Sequence, residues 1–123
     1  LAEHVGDNVI EMKRQVASRV KAPLITLAAS GSPELVYSLL KHVEALVDMA
    51  PGIFDDEYRQ FYIRYHEPSH IKYLKLAILP KVTNPENAPD IVAELAENAA
   101  DTNVKIGRLS IRSMSRIACR HVG

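Results

Sequence analysis

The chain has 123 residues, of which 47% are hydrophobic and 24% charged, values typical of a folded globular segment rather than a disordered one. Fifteen basic residues balance fifteen acidic ones, which argues against a dedicated nucleic-acid binder. The N-terminus lacks the basic patch and apolar run of a secretory signal, no apolar stretch is long enough to span a membrane, and a single cysteine favours a reducing compartment.

In the first part of the chain, the sequence pattern predicts two helices. Apolar residues at helical spacing indicate one over residues 9–20, which Pro23 kinks or restarts. Ser32, Pro33 and Glu34 then supply a capping hydroxyl, a first-turn proline and an early acid, which together signal the start of a second helix. This helix is expected to stop at Pro51, with an inward face of Val36, Leu39, Leu40, Val43, Leu46 and Val47.

A short aromatic block and a third long helix follow. Residues 53–65 place Phe54, Tyr58, Phe61 and Tyr62 on one side. Pro68 is expected to open the next helix, with Glu67 as its cap, and Pro85 to lie beyond its end. The three-four spacing of this helix predicts a buried face of Ile71, Leu74, Ile78 and Val82.

In the last part of the chain, the sequence pattern predicts a helical hairpin. Residues 87–100 form one helix with Ile91, Leu95 and Ala99 inward, and residues 101–103 turn the chain. Residues 104–121 form the other, for which the spacing predicts an inward face of Val104, Gly107, Ile111, Met114 and Ala118.

No sustained period-two alternation is present, so the predicted fold class is all-α. About three antiparallel helix pairs at a spacing of roughly 35 to 45 residues are typical of a HEAT/armadillo-like helical-repeat solenoid. We expect residues 1–123 to form one such segment.

Two stripes of opposite charge lie on the predicted hairpin. We call Asp90, Glu94, Glu97 and Asp101 the acidic row, and Arg108, Arg112, Arg116 and Arg120 the arginine row. Folding back at residues 102–103 would set Asp101 near Arg108 and Asp90 near Arg120. The arginine row is either a solvated or salt-bridged face or an interaction surface for phosphoinositide headgroups or nucleic-acid phosphates, since guanidinium groups bind phosphates bidentately.

The sequence His-Glu-Pro-Ser-His at residues 66–70 matches the zinc signature His-Glu-x-x-His. That signature needs both histidines on successive turns of one helix, with the glutamate activating a water. Pro68 would clash inside such a helix, which we therefore predict to begin at Pro68, leaving His66 outside it. We interpret His66, Glu67 and His70 as a decoy and expect no metal site.

No other motif indicates catalysis. Cys119 lacks a partner motif and is expected to be a packed, inert thiol. A glycine-rich phosphate loop and a serine nucleophile elbow are both missing from the sequence, so we predict no cofactor and no enzymatic activity.

Several collinear stretches resemble the β-adaptins, the large β subunits of heterotetrameric adaptor complexes. They are residues 21–27, 31–34, 61–79, 87–100 and 110–118, in the family's order and spacing. The run Tyr-His-Glu-Pro-Ser-His-Ile-Lys at residues 65–72 is most similar to the β subunit of the fourth adaptor complex, with the third complex next. Ser115, where the family often has glycine, and His66 depart from the pattern.

The resemblance implies a non-catalytic scaffold cut from a longer helical trunk. Its implied partners are the second large adaptin and the medium and small subunits. The implied location is cytoplasmic and peripheral, on trans-Golgi network or endosomal membranes and coated vesicles, where the complex sorts cargo. The alternatives are an unrelated HEAT or armadillo protein-binding module, such as a transport receptor, and a zinc hydrolase using residues 66–70.

Overall fold

The computed structural model describes the backbone of residues 2–122 and the side-chain surroundings of residues 8–16, 18–27 and 31–121. Within residues 2–122 no residue lies in a strand, which confirms the all-α prediction. Two 3₁₀ segments, Asp55–Phe61 and Leu79–Val82, connect the longer helices. The α-helices are α1 (Ala2–Ser30), α2 (Pro33–Met49), α3 (Ser69–Ile78), α4 (Ala88–Asn98) and α5 (Val104–Val122).

The predicted helix boundary at Ser32 is confirmed. Its hydroxyl accepts a hydrogen bond from the Leu35 N–H at 3.4 Å, and Pro33 occupies the first turn of α2. Helix α2 ends at Met49 with Ala50 as its C-cap, and Gly52 follows with φ of 92°, a left-handed conformation that glycine adopts without a Cβ penalty. Helix α1 runs through Pro23 as one helix instead of restarting there.

The helices pack in a stack of neighbours. Helix α1 packs on α2, α2 on α3, α3 on α5 and α4 on α5. None of the helices in the described part of the chain is long and apolar enough to cross a bilayer.

The predicted face of α3 forms the centre of this stack. All four predicted residues are buried, with at most 7% of the residue exposed, but only Ile71, Leu74 and Ile78 lie in α3, since Val82 belongs to the 3₁₀ segment that follows. The aromatic block also points inward as expected, since Phe54 and Phe61 are fully buried and meet edge to face with ring centroids 6.3 Å apart. Burying side chains of this size contributes roughly 1.5–3 kcal/mol each.

The predicted inward face of α5 is largely wrong. Val104 is 70% exposed and Ile111 55% exposed, and Ala118 is exposed too. Only Gly107 and the half-buried Met114 of the predicted set face inward. The buried line instead comprises Ile106, Ser110, Ser113 and Ile117.

Two buried serines explain this error. The Ser110 hydroxyl donates to the Ile106 carbonyl oxygen at 2.7 Å, and the Ser113 hydroxyl donates to the Leu76 carbonyl oxygen of α3 at 2.7 Å. Because each hydroxyl has an acceptor, its burial carries little penalty, and two small side chains allow α5 to approach α3.

Helices α4 and α5 also approach closely at Gly107. A Cβ atom on this residue would lie 2.9 Å from the Ala99 carbonyl oxygen. The backbone of α5 therefore contacts the end of α4 directly, at a distance that requires glycine.

Candidate functional site

Residues 66–70, which match the zinc signature in sequence, form the end of a loop and the start of a helix. Helix α3 begins at Ser69 with Pro68 as the preceding cap residue, so His66 lies outside the helix and His70 inside it. Both histidines are exposed, and the His70 ring lies against Tyr37 with centroids 5.3 Å apart. Across the described residues, no three His, Cys, Asp or Glu side chains are grouped closely enough to hold a metal ion.

Glu67 does not cap α3, contrary to the prediction, since no side chain caps this helix. Its carboxylate instead forms an ion pair with Lys75, with Oε2 and Nζ 2.6 Å apart and the two side chains only 11% and 7% exposed. The other carboxylate oxygen accepts from the Arg64 N–H at 2.6 Å. Lys75 Nζ also donates to the Tyr62 carbonyl oxygen at 3.3 Å. One buried lysine thus fixes both ends of the loop 62–67.

Burial lowers the pKa of Lys75 below its ordinary value of 10.5, because desolvation disfavours the charged ammonium. The hydrogen bond and the negative charge of Glu67 oppose this shift, while the nearby Arg64 charge adds to it. A buried ionisable group with a shifted pKa beside a cavity is typical of binding sites.

A cavity of about 180 Å³ adjoins this ion pair, between the α1–α2 connection and the loop. We call it the Lys75 cavity. Its polar lining residues are Gln60, Arg64, His66, Glu67 and Lys75. Its apolar lining residues include Ile25, Val36, Leu40, Val43, Phe61 and Ile71.

The arginine row is fully on the surface. Arg108, Arg112, Arg116 and Arg120 are exposed, and only Arg120 makes a described hydrogen bond, from Nη1 to the Pro80 carbonyl oxygen at 2.8 Å. Helix α5 has no acidic residue. Cys119 is exposed between these arginines, so the prediction of a packed thiol is wrong.

The predicted pairing of the acidic row with the arginine row is also wrong. Asp90 instead accepts a hydrogen bond from the Tyr58 hydroxyl at 2.8 Å and pairs with Arg59 at 3.5 Å. This hydrogen bond is the main reason that the pKa of Tyr58 is raised. Burial, with a smaller contribution from the Glu97 charge, raises the pKa of Glu94.

The ion pair between Glu67 and Lys75 escaped the sequence prediction, although one signal indicates it. Lys75 lies between Leu74 and Leu76, and its neighbours one turn away include Ile71, Ile78 and Leu79. A lysine in the middle of an apolar helix face is rarely buried without a partner. The nearest acid in sequence is Glu67, eight residues earlier.

No protein-family profile matches the chain. The protein named beta-adaptin-like protein A of Arabidopsis thaliana is 46% identical over 111 residues, which cover 90% of this chain and 13% of that protein. The AP-4 complex subunit beta of Dictyostelium discoideum is 32% identical over 120 residues, covering 94% of this chain and 14% of that protein. The AP-1 complex subunit beta-1 of Homo sapiens is 31% identical over 102 residues, which cover 83% of this chain and 11% of that protein.

These similarities confirm the predicted family resemblance. The chain spans only 11% to 14% of the length of these relatives.

Proposed function

We propose, since this chain belongs to the β-adaptin family, that it is a scaffold segment of the large β subunit of a vesicle-coat adaptor complex. The proposed role is non-catalytic and uses no cofactor. The segment helps to assemble the complex for vesicle-mediated intracellular transport and cargo sorting. Its proposed location is cytoplasmic and peripheral, on trans-Golgi network or endosomal membranes.

The observation that carries this proposal is the 46% identity maintained over 90% of the chain. Similarity of this extent covers most of the helix stack, including the loop 62–67, instead of one short motif. The stack itself suits the role, because packed helical repeats present extended surfaces for other proteins.

Co-purification tests the proposal. The full-length protein that contains this segment would be tagged in its native cells and isolated at native abundance. We expect the second large adaptin, the medium subunit and the small subunit to be recovered at comparable amounts. Recovery of none of these subunits, or a location away from Golgi and endosomal membranes, would contradict the proposal.

The arginine row is the surface that we propose for contact with an acidic surface of another subunit. Its four guanidinium groups extend over ~18 Å along α5 at the rise of an α-helix. Among the described residues none of them forms an ion pair, because the acidic row of α4 contacts other groups or solvent. Charge of one sign on an exposed helix speeds and orients association with a partner of the opposite sign.

Charge reversal tests this contact. Arg112→Glu with Arg116→Glu would place two carboxylates in the middle of the row, and we expect recovery of at least one partner subunit to fall about tenfold or more. Lys13→Glu with Arg14→Glu is the matched control, since these two basic residues are exposed on α1. Equal recovery with both double variants, each with wild-type helix content, would exclude the row as a subunit contact.

A further inference from the structure

The Lys75 cavity has the composition of a recognition site. Its fourteen lining residues include both aliphatic or aromatic side chains and side chains that carry hydrogen-bonding groups. Binding sites commonly combine a mainly apolar surface with a few polar groups that fix the orientation of the ligand.

The volume of the cavity limits its occupant. About 180 Å³ corresponds to roughly six water molecules at their volume in the liquid. Pockets for drug-sized ligands have volumes of about 300–1,000 Å³, so this cavity is smaller than such pockets. One large aliphatic side chain with a small polar group attached fits this volume.

The charges at the cavity favour an anion. Both oxygens of Glu67 already accept hydrogen bonds, one from Lys75 and one from the Arg64 N–H. The Arg64 side chain is exposed and forms no ion pair within the described residues, so its guanidinium donors remain available for a carboxylate. Lys75 has three N–H donors and two described acceptors, Glu67 and the Tyr62 carbonyl, which leaves one donor for a ligand.

A carboxylate and an aliphatic side chain occur on the same residue only at the C-terminus of a polypeptide. An internal segment would need two residues for the same contacts, one aliphatic and one acidic. We therefore propose that the Lys75 cavity binds the free C-terminus of a partner polypeptide that ends in a large aliphatic residue. The side chain packs against Val36, Leu40 and Ile71, and the carboxylate binds Arg64 and Lys75. Neither this site nor its test depends on the proposed scaffold function.

Fluorescence anisotropy with short labelled peptides tests this site. The probe is Ser-Gly-Ser-Gly-Ser-Leu with a free C-terminal carboxylate, compared with the same peptide as its C-terminal amide and with a free acid ending in Ser. We expect the amide and the Ser peptide each to bind about tenfold more weakly or worse. A fourth peptide, ending in Leu-Asp with an amidated C-terminus, offers a side-chain carboxylate instead, and we expect it to bind as weakly as the amide.

Two variants identify the residue that binds the carboxylate. Arg64→Gln should weaken the free acid about tenfold and leave the amide unchanged, because only the charge-assisted bond is lost. Arg14→Gln, an exposed arginine of α1 outside the cavity, should change neither. Arg64 is exposed, so its replacement leaves the fold intact, which an unchanged thermal transition would verify.

Any of three results would overturn the proposal. They are equal affinity for acid and amide, an unaltered affinity of Arg64→Gln for the acid, and no binding of the free acid up to millimolar peptide. Strong binding of the Leu-Asp amide would overturn the C-terminal assignment in favour of an internal acidic residue.

Discussion

Lys75 is the residue on which the loop 62–67 depends. Its ammonium group is 2.6 Å from Glu67 Oε2 and also donates to the Tyr62 carbonyl oxygen. The net stabilisation by such a buried pair is small, because desolvation of both charges offsets their attraction. The loss of one partner is much more costly, since it leaves the other charge buried and unpaired.

We expect Lys75→Met to lower the free energy of unfolding by about 3–5 kcal/mol, because Glu67 would remain buried without a cation. The double variant Glu67→Gln with Lys75→Met should recover a large part of this loss. Urea unfolding followed by circular dichroism measures both. A loss equal to that of Lys41→Met, which removes a surface pair at 3.7 Å worth roughly 0–1 kcal/mol, would contradict the assignment.

Glu94 gives the chain a predictable dependence on pH. Its folded-state pKa is raised above the ordinary value of 4.5, mainly by burial and then by Glu97. Just above pH 4.5 the folded state therefore holds a proton that the unfolded state has already lost, so stability falls as the pH rises through this window.

We expect Glu94→Gln to remove this fall in stability. The variant should exceed the wild type by about 0.5 kcal/mol or less at pH 7 and show a smaller difference at pH 3.5. Urea unfolding at the two pH values measures the change. Glu86→Gln, on the exposed start of the same region, is the control. A wild type that becomes more stable between pH 4.5 and 7 relative to Glu94→Gln would contradict the direction of the shift.

At the scale of the helix, hydrophobic side chains of α5 differ widely in their burial. Ile117 is 3% exposed and Ile111 is 55% exposed, although both are isoleucines on one helix. We expect Ile117→Ala to cost about 2–5 kcal/mol of unfolding free energy, through lost transfer energy and the cavity left behind. Ile111→Ala should change it by about 0.5 kcal/mol or less. Chemical denaturation of the two variants measures both changes. Equal losses of unfolding free energy would contradict this orientation of α5.

The sequence predicts those helices whose local signals agree with their packing. Ser32 and Pro33 mark the start of α2, and the three-four spacing of Ile71, Leu74 and Ile78 marks the buried face of α3. Each of these depends on residues close together in the chain, where capping and periodicity act.

The sequence does not predict the orientation of a side chain when a residue distant in the chain determines it. Ser113 is buried because its hydroxyl reaches the Leu76 carbonyl oxygen, 37 residues earlier. Asp90 turns from the arginine row toward Tyr58, 32 residues earlier. The ion pair between Glu67 and Lys75 spans only eight residues, but it depends on a loop whose path has no local pattern. The site residues are therefore harder to predict than the helices that hold them.

At the scale of the whole molecule, the formal net charge is zero, but the basic and acidic side chains are unevenly distributed. Helix α5 carries Lys105 and the arginine row without any acid, whereas acidic side chains are spread over the other elements. Fields of one sign on one side of a protein act on encounter with partners more than on folding. Association through this side should therefore weaken as ionic strength rises.

Metal analysis of the whole protein checks the interpretation of residues 66–70. We expect well below one zinc ion per chain after purification without chelator, and no change of the thermal transition on addition of EDTA. His66 lies outside α3 and Glu67 is held by Lys75, so neither has the geometry of a zinc ligand set. One zinc per chain that disappears in His66→Ala and in His70→Ala would contradict this interpretation.

The close contact at Gly107 bears on shape as well as stability. Helix α5 rests on the Ala99 carbonyl oxygen, at a separation that a single methyl group would increase. In a stacked helical protein, each pair is rotated slightly from the last, and these rotations add up to the curvature of the superhelix. A methyl group at Gly107 would therefore tilt α5 and redirect the arginine row, and with it the angle of the subunit contact that we propose for this row.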